Sequence, residues 1–195
     1  MNIAFVHLGN KIPKYLKYNL DAIVKSRFDA KVWLISESNS DLSKVSGEVE
    51  VFQYKRTNET DHLAKKLKHS KEFRNDFWFL SIERFFALEQ FLTKHNEPTI
   101  HVESDVILSD DFPVKLIEKH FKYMCFPIVS GKRGIASCVY MENVHPIRKL
   151  SKFVKDEINQ NPLTTDMLII DRFYKLNQDS LMLFPTANPS IGHYN

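Results

Sequence analysis

The sequence predicts an α/β protein: a mixed, mainly parallel central sheet flanked by helices. Three observations predict it. Short apolar runs alternate along the chain with longer segments of helical periodicity. The runs are apolar at nearly every position, as in strands covered on both faces. Two late runs, Tyr123 to Val129 and Ile135 to Met141, flank Ser130-Gly131-Lys132-Arg133-Gly134 as a hairpin or close strand pair would, which makes the sheet mixed.

Each element has its own signal. Ile3 to Leu8 is an apolar run ended by Gly9-Asn10 and reads as a buried strand. Pro13 suits the first position of a helix, in which Leu16, Leu20, Ile23 and Val24 recur through about Lys25. Lys31 to Ser36 reads as a second buried strand, and Glu48 to Tyr54 alternates as a third. Asp61 to Lys71 reads as a short amphipathic helix, with His62, Lys65, Lys66 and His69 on one face. Asp76 to His95 is the strongest helix, stopped by Asn96-Glu97-Pro98. Thr99 to Leu108 reads as a strand with acids at its far end, followed by a helix from Pro113 to about His120. After the strand pair come helices at Val144 to Asn159 and Thr165 to Leu176, then a short strand from Leu181 to Pro185.

Composition narrows the class. The 195 residues are 43% hydrophobic and 26% charged, with five Gly and eight Pro, which excludes disordered and low-complexity chains. A chain this long hides roughly 70% of its unfolded surface, enough for one core, so residues 1–195 read as a single domain. No apolar run approaches the roughly 20 residues of a membrane helix. Ile3 to Leu8 is too short and lacks the cationic lead of a signal peptide. The sequon Asn58-Glu59-Thr60 then carries no meaning. The net charge of +3 does not call for a nucleic-acid partner. Two cysteines, Cys125 and Cys138, make neither a disulfide scaffold nor a metal motif, although a hairpin could set them opposite each other. Reduced thiols and a cytoplasmic location follow as the expectation.

The segment with most chemical content is His101-Val102-Glu103-Ser104-Asp105. Strand alternation puts His101, Glu103 and Asp105 on one face. Converging carboxylates repel unless a cation or donors compensate, and a hard divalent cation is the natural compensator. Alternatively the strand ends early and the acids are solvated. Ser109, Asp110 and Asp111 precede Pro113 and read as helix-capping residues.

A helix reading Glu83-Arg84-Phe85-Phe86-Ala87-Leu88-Glu89-Gln90-Phe91-Leu92, followed by a strand ending Glu103-Ser104-Asp105, resembles the nucleotide-sugar-dependent glycosyltransferases of the GT-A fold. Their strand ends in a DxD-type motif; here it is an ExD variant. The resemblance implies a single GT-A-like domain. It also implies a metal-dependent enzyme moving a sugar from a nucleotide-sugar donor, UDP-linked, to a glycan or lipid-linked acceptor, as in surface polysaccharide synthesis. Mn2+ or Mg2+ held by Asp105 would neutralise the leaving diphosphate. Glu103 would contact ribose, a metal-bound water or the metal itself. His7, Gly9 and Ser36 would border the nucleotide, and Arg84 would face the donor. Asp166 would face the acceptor as a base, and a late histidine, His193, would complete the metal site.

Each position has a plainer reading. His7 can be a hydrogen-bonded strand histidine, and Asp166 an acid favoured at a helix N-terminus behind Thr164 or Thr165. Arg84 can be a helix-surface partner of Glu83, and His193 a tail residue. Lys132 and Arg133 can meet phosphate or form a solvated turn. The basic face from His62 to His69 can be solvated or touch an anionic acceptor. Peripheral membrane contact fits a lipid-linked acceptor. The chain is shorter than most GT-A enzymes and ends at Ile191-Gly192-His193-Tyr194-Asn195 without a closing element, as in a minimal enzyme or a truncated chain. A sugar-nucleotide nucleotidyltransferase would need a Gly-rich basic loop after the first strand, whereas Gly9-Asn10-Lys11-Ile12-Pro13 has one glycine. A non-catalytic glycosyltransferase-like binding subunit is the other alternative.

Overall fold

The computed structural model describes residues 1–185 except 10, 27, 38–40, 44, 46, 74–75 and 130–132. The expected roles of Asn10, Gly131, Lys132, the Arg133 side chain and His193 fall outside what is described.

Strands β1 (Asn2–His7), β2 (Lys31–Glu37), β3 (Glu50–Tyr54) and β4 (Thr99–Val102) run parallel to one another. β5 (Met124–Phe126), β8 (Cys138–Met141) and β9 (Met182–Leu183) complete a seven-stranded sheet in the order β3-β2-β1-β4-β8-β5-β9. β8 is antiparallel to both its neighbours, β4 and β5. β6 (Ile128–Val129) and β7 (Arg133–Gly134) form a separate antiparallel pair. The sheet is therefore mixed and mainly parallel, as the sequence predicts.

Alternation along each strand sends side chains to two layers. Ile3, Phe5, Leu34, Ile100 and Val102 pack under helices α1 (Lys14–Ser26) and α4 (Val114–His120), through Leu16, Leu20, Ile23, Val114 and Ile117. Ala4, Ile35 and Phe52 face the other layer, which is built on α3 (Phe77–His95). α3 is buried on most of its circumference because it lies between the sheet and α5 (Val144–Gln160). α2 (Asn58–Lys66) and α6 (Asp166–Leu176) flank this pair.

Two elements depart from expectation. α2 starts at Asn58 because Thr57 and Thr60 cap it reciprocally, and it ends at Lys66, so His69 lies beyond the helix rather than on a shared basic face. β4 ends at Val102 rather than Leu108. There the chain turns: Glu103 N–H donates to the Ser137 carbonyl, and Val106 N–H closes back on the Glu103 carbonyl. In the sheet Cys125 lies opposite Tyr140, so the two cysteines are offset rather than facing, and both are free thiols. Burial pushes each up to about 12, which leaves them unreactive.

Candidate active site

The strand order reverses between β1 and β4, since β2 and β3 extend one way from β1 and the rest of the sheet the other. Ligands of open α/β sheets bind beyond the carboxyl ends of strands at such a switch point. A cleft of about 550 Å³ occupies this place, bounded by the ends of β1 and β4, the start of α3 and the start of α6. A smaller hollow of about 300 Å³ beside Tyr123 and Pro146 lies toward the opposite end of the strands, near the start of α5.

Arg84 organises the cleft wall. Its Nε–H donates to the Ser81 carbonyl at 2.7 Å. Its two terminal nitrogens donate to different carboxylates, one to Glu103 and one to Asp166. One guanidinium thus ties the turn after β4 to the first residue of α6. Glu83, next in sequence, points elsewhere. It is fully buried and held by Arg56 at 2.5 Å and the Tyr54 hydroxyl at 3.0 Å. Burial pushes its carboxyl up, while Arg56 opposes the shift. Glu83 and Arg84 are therefore not a helix-surface pair; each anchors α3 to a different neighbour.

Asp105 is exposed at the cleft, two residues beyond Glu103. The turn that carries both acids is held from α1, where the Asn19 amide donates to the Ser104 carbonyl at 2.7 Å and the Val106 carbonyl at 3.2 Å. Glu103, Asp105 and Asp166 against Arg84 give the described lining a formal charge of −3 + 1 = −2. Such a lining repels an anionic ligand, and a cation would offset that repulsion. Among the described residues, no group of three or more His, Cys, Asp or Glu is placed to hold a metal ion. One free carboxylate completed by substrate phosphate oxygens and water is nonetheless a donor set that Mg2+ accepts. Glu103 is committed to Arg84, so Asp105 is the described carboxylate that fits this role.

Asp166 follows its N-cap Thr165, whose hydroxyl accepts from Leu168 N–H at 3.4 Å. It is both an acid at a helix N-terminus and an acid in the cleft. His7 closes the other side. Its ring N–H donates to the Lys11 carbonyl at 2.9 Å, and burial lowers its pKa, keeping the ring neutral. Gly9 follows with φ +147°, a backbone conformation that requires glycine, and a Cβ there would come within 3.7 Å of His7 Nε2. Ser36 lies opposite His7 in the β1–β2 register but is fully buried outside the cleft lining, its hydroxyl without a hydrogen-bond partner.

Sequence reasoning assigned no function to three residues at or behind the cleft, although it set one of them, His101, on a face with Glu103 and Asp105. Asn19 interrupts the apolar stripe of α1 between Leu16 and Leu20, and that interruption was its signal. Trp78 lines the mouth, stacked on His69 at 5.0 Å and Phe73 at 5.7 Å. Nothing in the local sequence signals this, because the rings come from a turn and a helix start. His101 lies on the cleft floor, 1% exposed.

No family model matches the chain, and no curated protein is similar to it in sequence. Solved structures are similar to it in fold. The PaToxG glycosyltransferase matches 91% of this chain over 68% of its own, with TM-score 0.61 and 12% identity. The apo form of mouse xyloside xylosyltransferase 1 matches 94% of this chain over 84% of its own, with TM-score 0.55 and 10% identity. The apo glycosyltransferase GlyE of Streptococcus pneumoniae matches 95% of this chain, with TM-score 0.60 and 12% identity, and this chain spans 45% of it. The single α/β sheet with its two helical layers is thus the fold these glycosyltransferase structures share.

Proposed function

We propose that this chain is a metal-dependent glycosyltransferase that takes a sugar from a nucleotide-sugar donor and passes it to a hydroxyl acceptor. The observation that carries the proposal is an acidic cleft at the strand-order reversal, with one free carboxylate, Asp105, beside an Arg84-clamped pair. The fold shared with glycosyltransferase structures supports it.

In this reading Asp105 would hold Mn2+ or Mg2+ together with the donor diphosphate, and a cation bound there would supply positive charge to offset that of the departing nucleoside diphosphate. Arg84 fixes Glu103 and Asp166 in place, so the donor meets a preformed wall. Asp166 gives one carboxylate oxygen to Arg84 and keeps the other for the acceptor hydroxyl's proton. If Asp166 is the base, the product anomer is inverted. His7 and the glycine-shaped turn at Gly9 border the nucleotide, with UDP the nucleotide to test first. The acceptor is a glycan or lipid-linked saccharide, as in surface polysaccharide synthesis, and a lipid-linked acceptor would bring the protein to a membrane surface. No helix among the described residues is long and apolar enough to cross a membrane.

The test is thermal-shift screening of UDP, GDP, CMP and their sugar conjugates, each with and without Mn2+, on wild type and Asp105→Ala. A ligand that binds only the folded state raises the melting temperature by mass action. The expected outcome is metal-dependent stabilisation by one nucleotide class that Asp105→Ala abolishes. Indifference of every nucleotide with metal present would sink the proposal. A second reading, a non-catalytic binding subunit, draws on the ion pairs that occupy both Glu103 and Asp166. It predicts the same thermal shift with no release of nucleoside diphosphate over time.

A further inference from the structure

His101 is a buried histidine with half of its hydrogen-bonding capacity unused. Nδ1 lies 3.1 Å from the Ala4 carbonyl across the β1–β4 pair, so that nitrogen carries the proton and donates. A neutral imidazole with Nδ1–H has a bare lone pair on Nε2. That lone pair has no partner, although the ring is 1% exposed and lines the cleft. A buried acceptor left unpaired costs on the order of 1–3 kcal/mol, so such an atom calls for an explanation.

The surroundings say what would satisfy it. Arg84 stands close enough to oppose protonation of the ring, and burial acts the same way, pushing its pKa down to about 3. The ring is therefore a fixed acceptor at working pH, neither acid nor base. The partner must bring a hydrogen. The same cleft offers acceptor oxygens on Glu103 and Asp166, and Arg84 N–H groups beyond those already donated. A hydroxyl both donates and accepts, so it can donate to Nε2 and accept from the guanidinium. A phosphate oxygen cannot donate.

We infer that His101 Nε2 accepts a hydrogen bond from a hydroxyl of the bound nucleotide-sugar, and that this contact makes His101 a specificity-determining residue of the cleft. The inference rests on the proposed glycosyltransferase reading and adds a hydroxyl requirement to it. Two parts of such a ligand carry hydroxyls, the ribose and the transferred sugar. Their chemistry toward Nε2 is the same.

The test pairs side-chain ¹⁵N spectra of His101 with binding measurements in Mg2+. The probes are UDP, 2′-deoxy-UDP, UDP-glucose and UDP-N-acetylglucosamine, with wild type, His101→Phe and His101→Gln. In the wild type the Nε2 resonance should move on binding while Nδ1 stays protonated. A shift with UDP that 2′-deoxy-UDP fails to give assigns the contact to the ribose. A shift only with the sugar conjugates assigns it to the sugar. His101→Phe should bind the hydroxyl-bearing probe about tenfold more weakly or worse. His101→Gln, which can present an amide oxygen, should recover part of the loss. The ligand-free His101→Phe protein should melt within about 5 °C of wild type, because the lost Ala4 bond is set against removal of an unpaired buried nitrogen.

The inference is overturned if no probe moves Nε2, or if His101→Phe binds every probe as tightly as wild type. If UDP still raises the melting temperature in either case, only the role of His101 fails. If no nucleotide raises it, the glycosyltransferase reading fails as well.

Discussion

Arg84 holds two carboxylates at once while itself nearly buried, with 10% of its side chain exposed. Removing it would strand Glu103 and Asp166 beside each other. Breaking a buried pair from one side typically costs 3–5 kcal/mol. Arg84→Ala should therefore lose about 3 kcal/mol or more of unfolding free energy in urea titrations. Arg84→Lys should recover little, since one ammonium cannot fork to two carboxylates. His101 gives a pH prediction. Its folded pKa of about 3 lies below the ordinary histidine value of 6.5, so the unfolded chain takes up the proton first as pH falls. Stability is then fully present above pH 6.5 and declines toward pH 3, at about 1.4 kcal/mol per pH unit. Between pH 7 and pH 5 the expected loss from this residue is about 2 kcal/mol. His7 and His95 are shifted in the same direction and steepen the decline. His101→Phe should flatten it; an unchanged slope of melting temperature against pH would contradict the assignment.

At the scale of elements, the motif turn is placed by a helix far from it in sequence. Asn19 on α1 ties down the carbonyls of Ser104 and Val106. Asn19→Ala should leave α1 intact, alanine being the better helix former. It should loosen residues 104–106, seen as faster amide hydrogen exchange there and a weaker metal-dependent nucleotide shift. β7 gives a packing test. A Cβ on Gly134 would come within 2.2 Å of Ile170 Cγ2 on α6. Gly134→Ala should cost about 1–3 kcal/mol, because the strand lies against the helix with no room for a methyl group. Thermal unfolding of the purified variant checks this.

For the whole molecule, the cleft exists because the sheet reverses its winding at β1–β4, and helix α6 from late in the sequence closes it. Charge at this scale decides the binding chemistry. A described lining of net −2 should bind nucleoside diphosphate poorly without divalent metal and more tightly with it, by calorimetry at fixed ionic strength. Metal-independent binding of equal strength would contradict that expectation.

Much of the fold was legible because buried strands and amphipathic helices leave periodic apolar patterns: β1, β2, α1, α3 and α5 lie within a residue or two of where periodicity set them. The early end of β4 was legible only as an alternative, from the acids Glu103 and Asp105 that a buried strand disfavours. The partners that hold its turn were not legible, since Ser137 lies 34 residues from Glu103 and Asn19 lies 85 residues from Ser104. The acids at Glu103, Asp105 and Asp166 could be picked out as chemistry-bearing residues from the sequence. That one arginine joins two of them, leaving Asp105 exposed, could not. Nor could the bare nitrogen of His101, because hydrogen-bond satisfaction depends on which neighbours arrive in three dimensions. Local pattern therefore set the identity of the elements and the inventory of reactive groups. Long-range pairing decided which of those groups are spent on holding the protein together and which are left for a ligand.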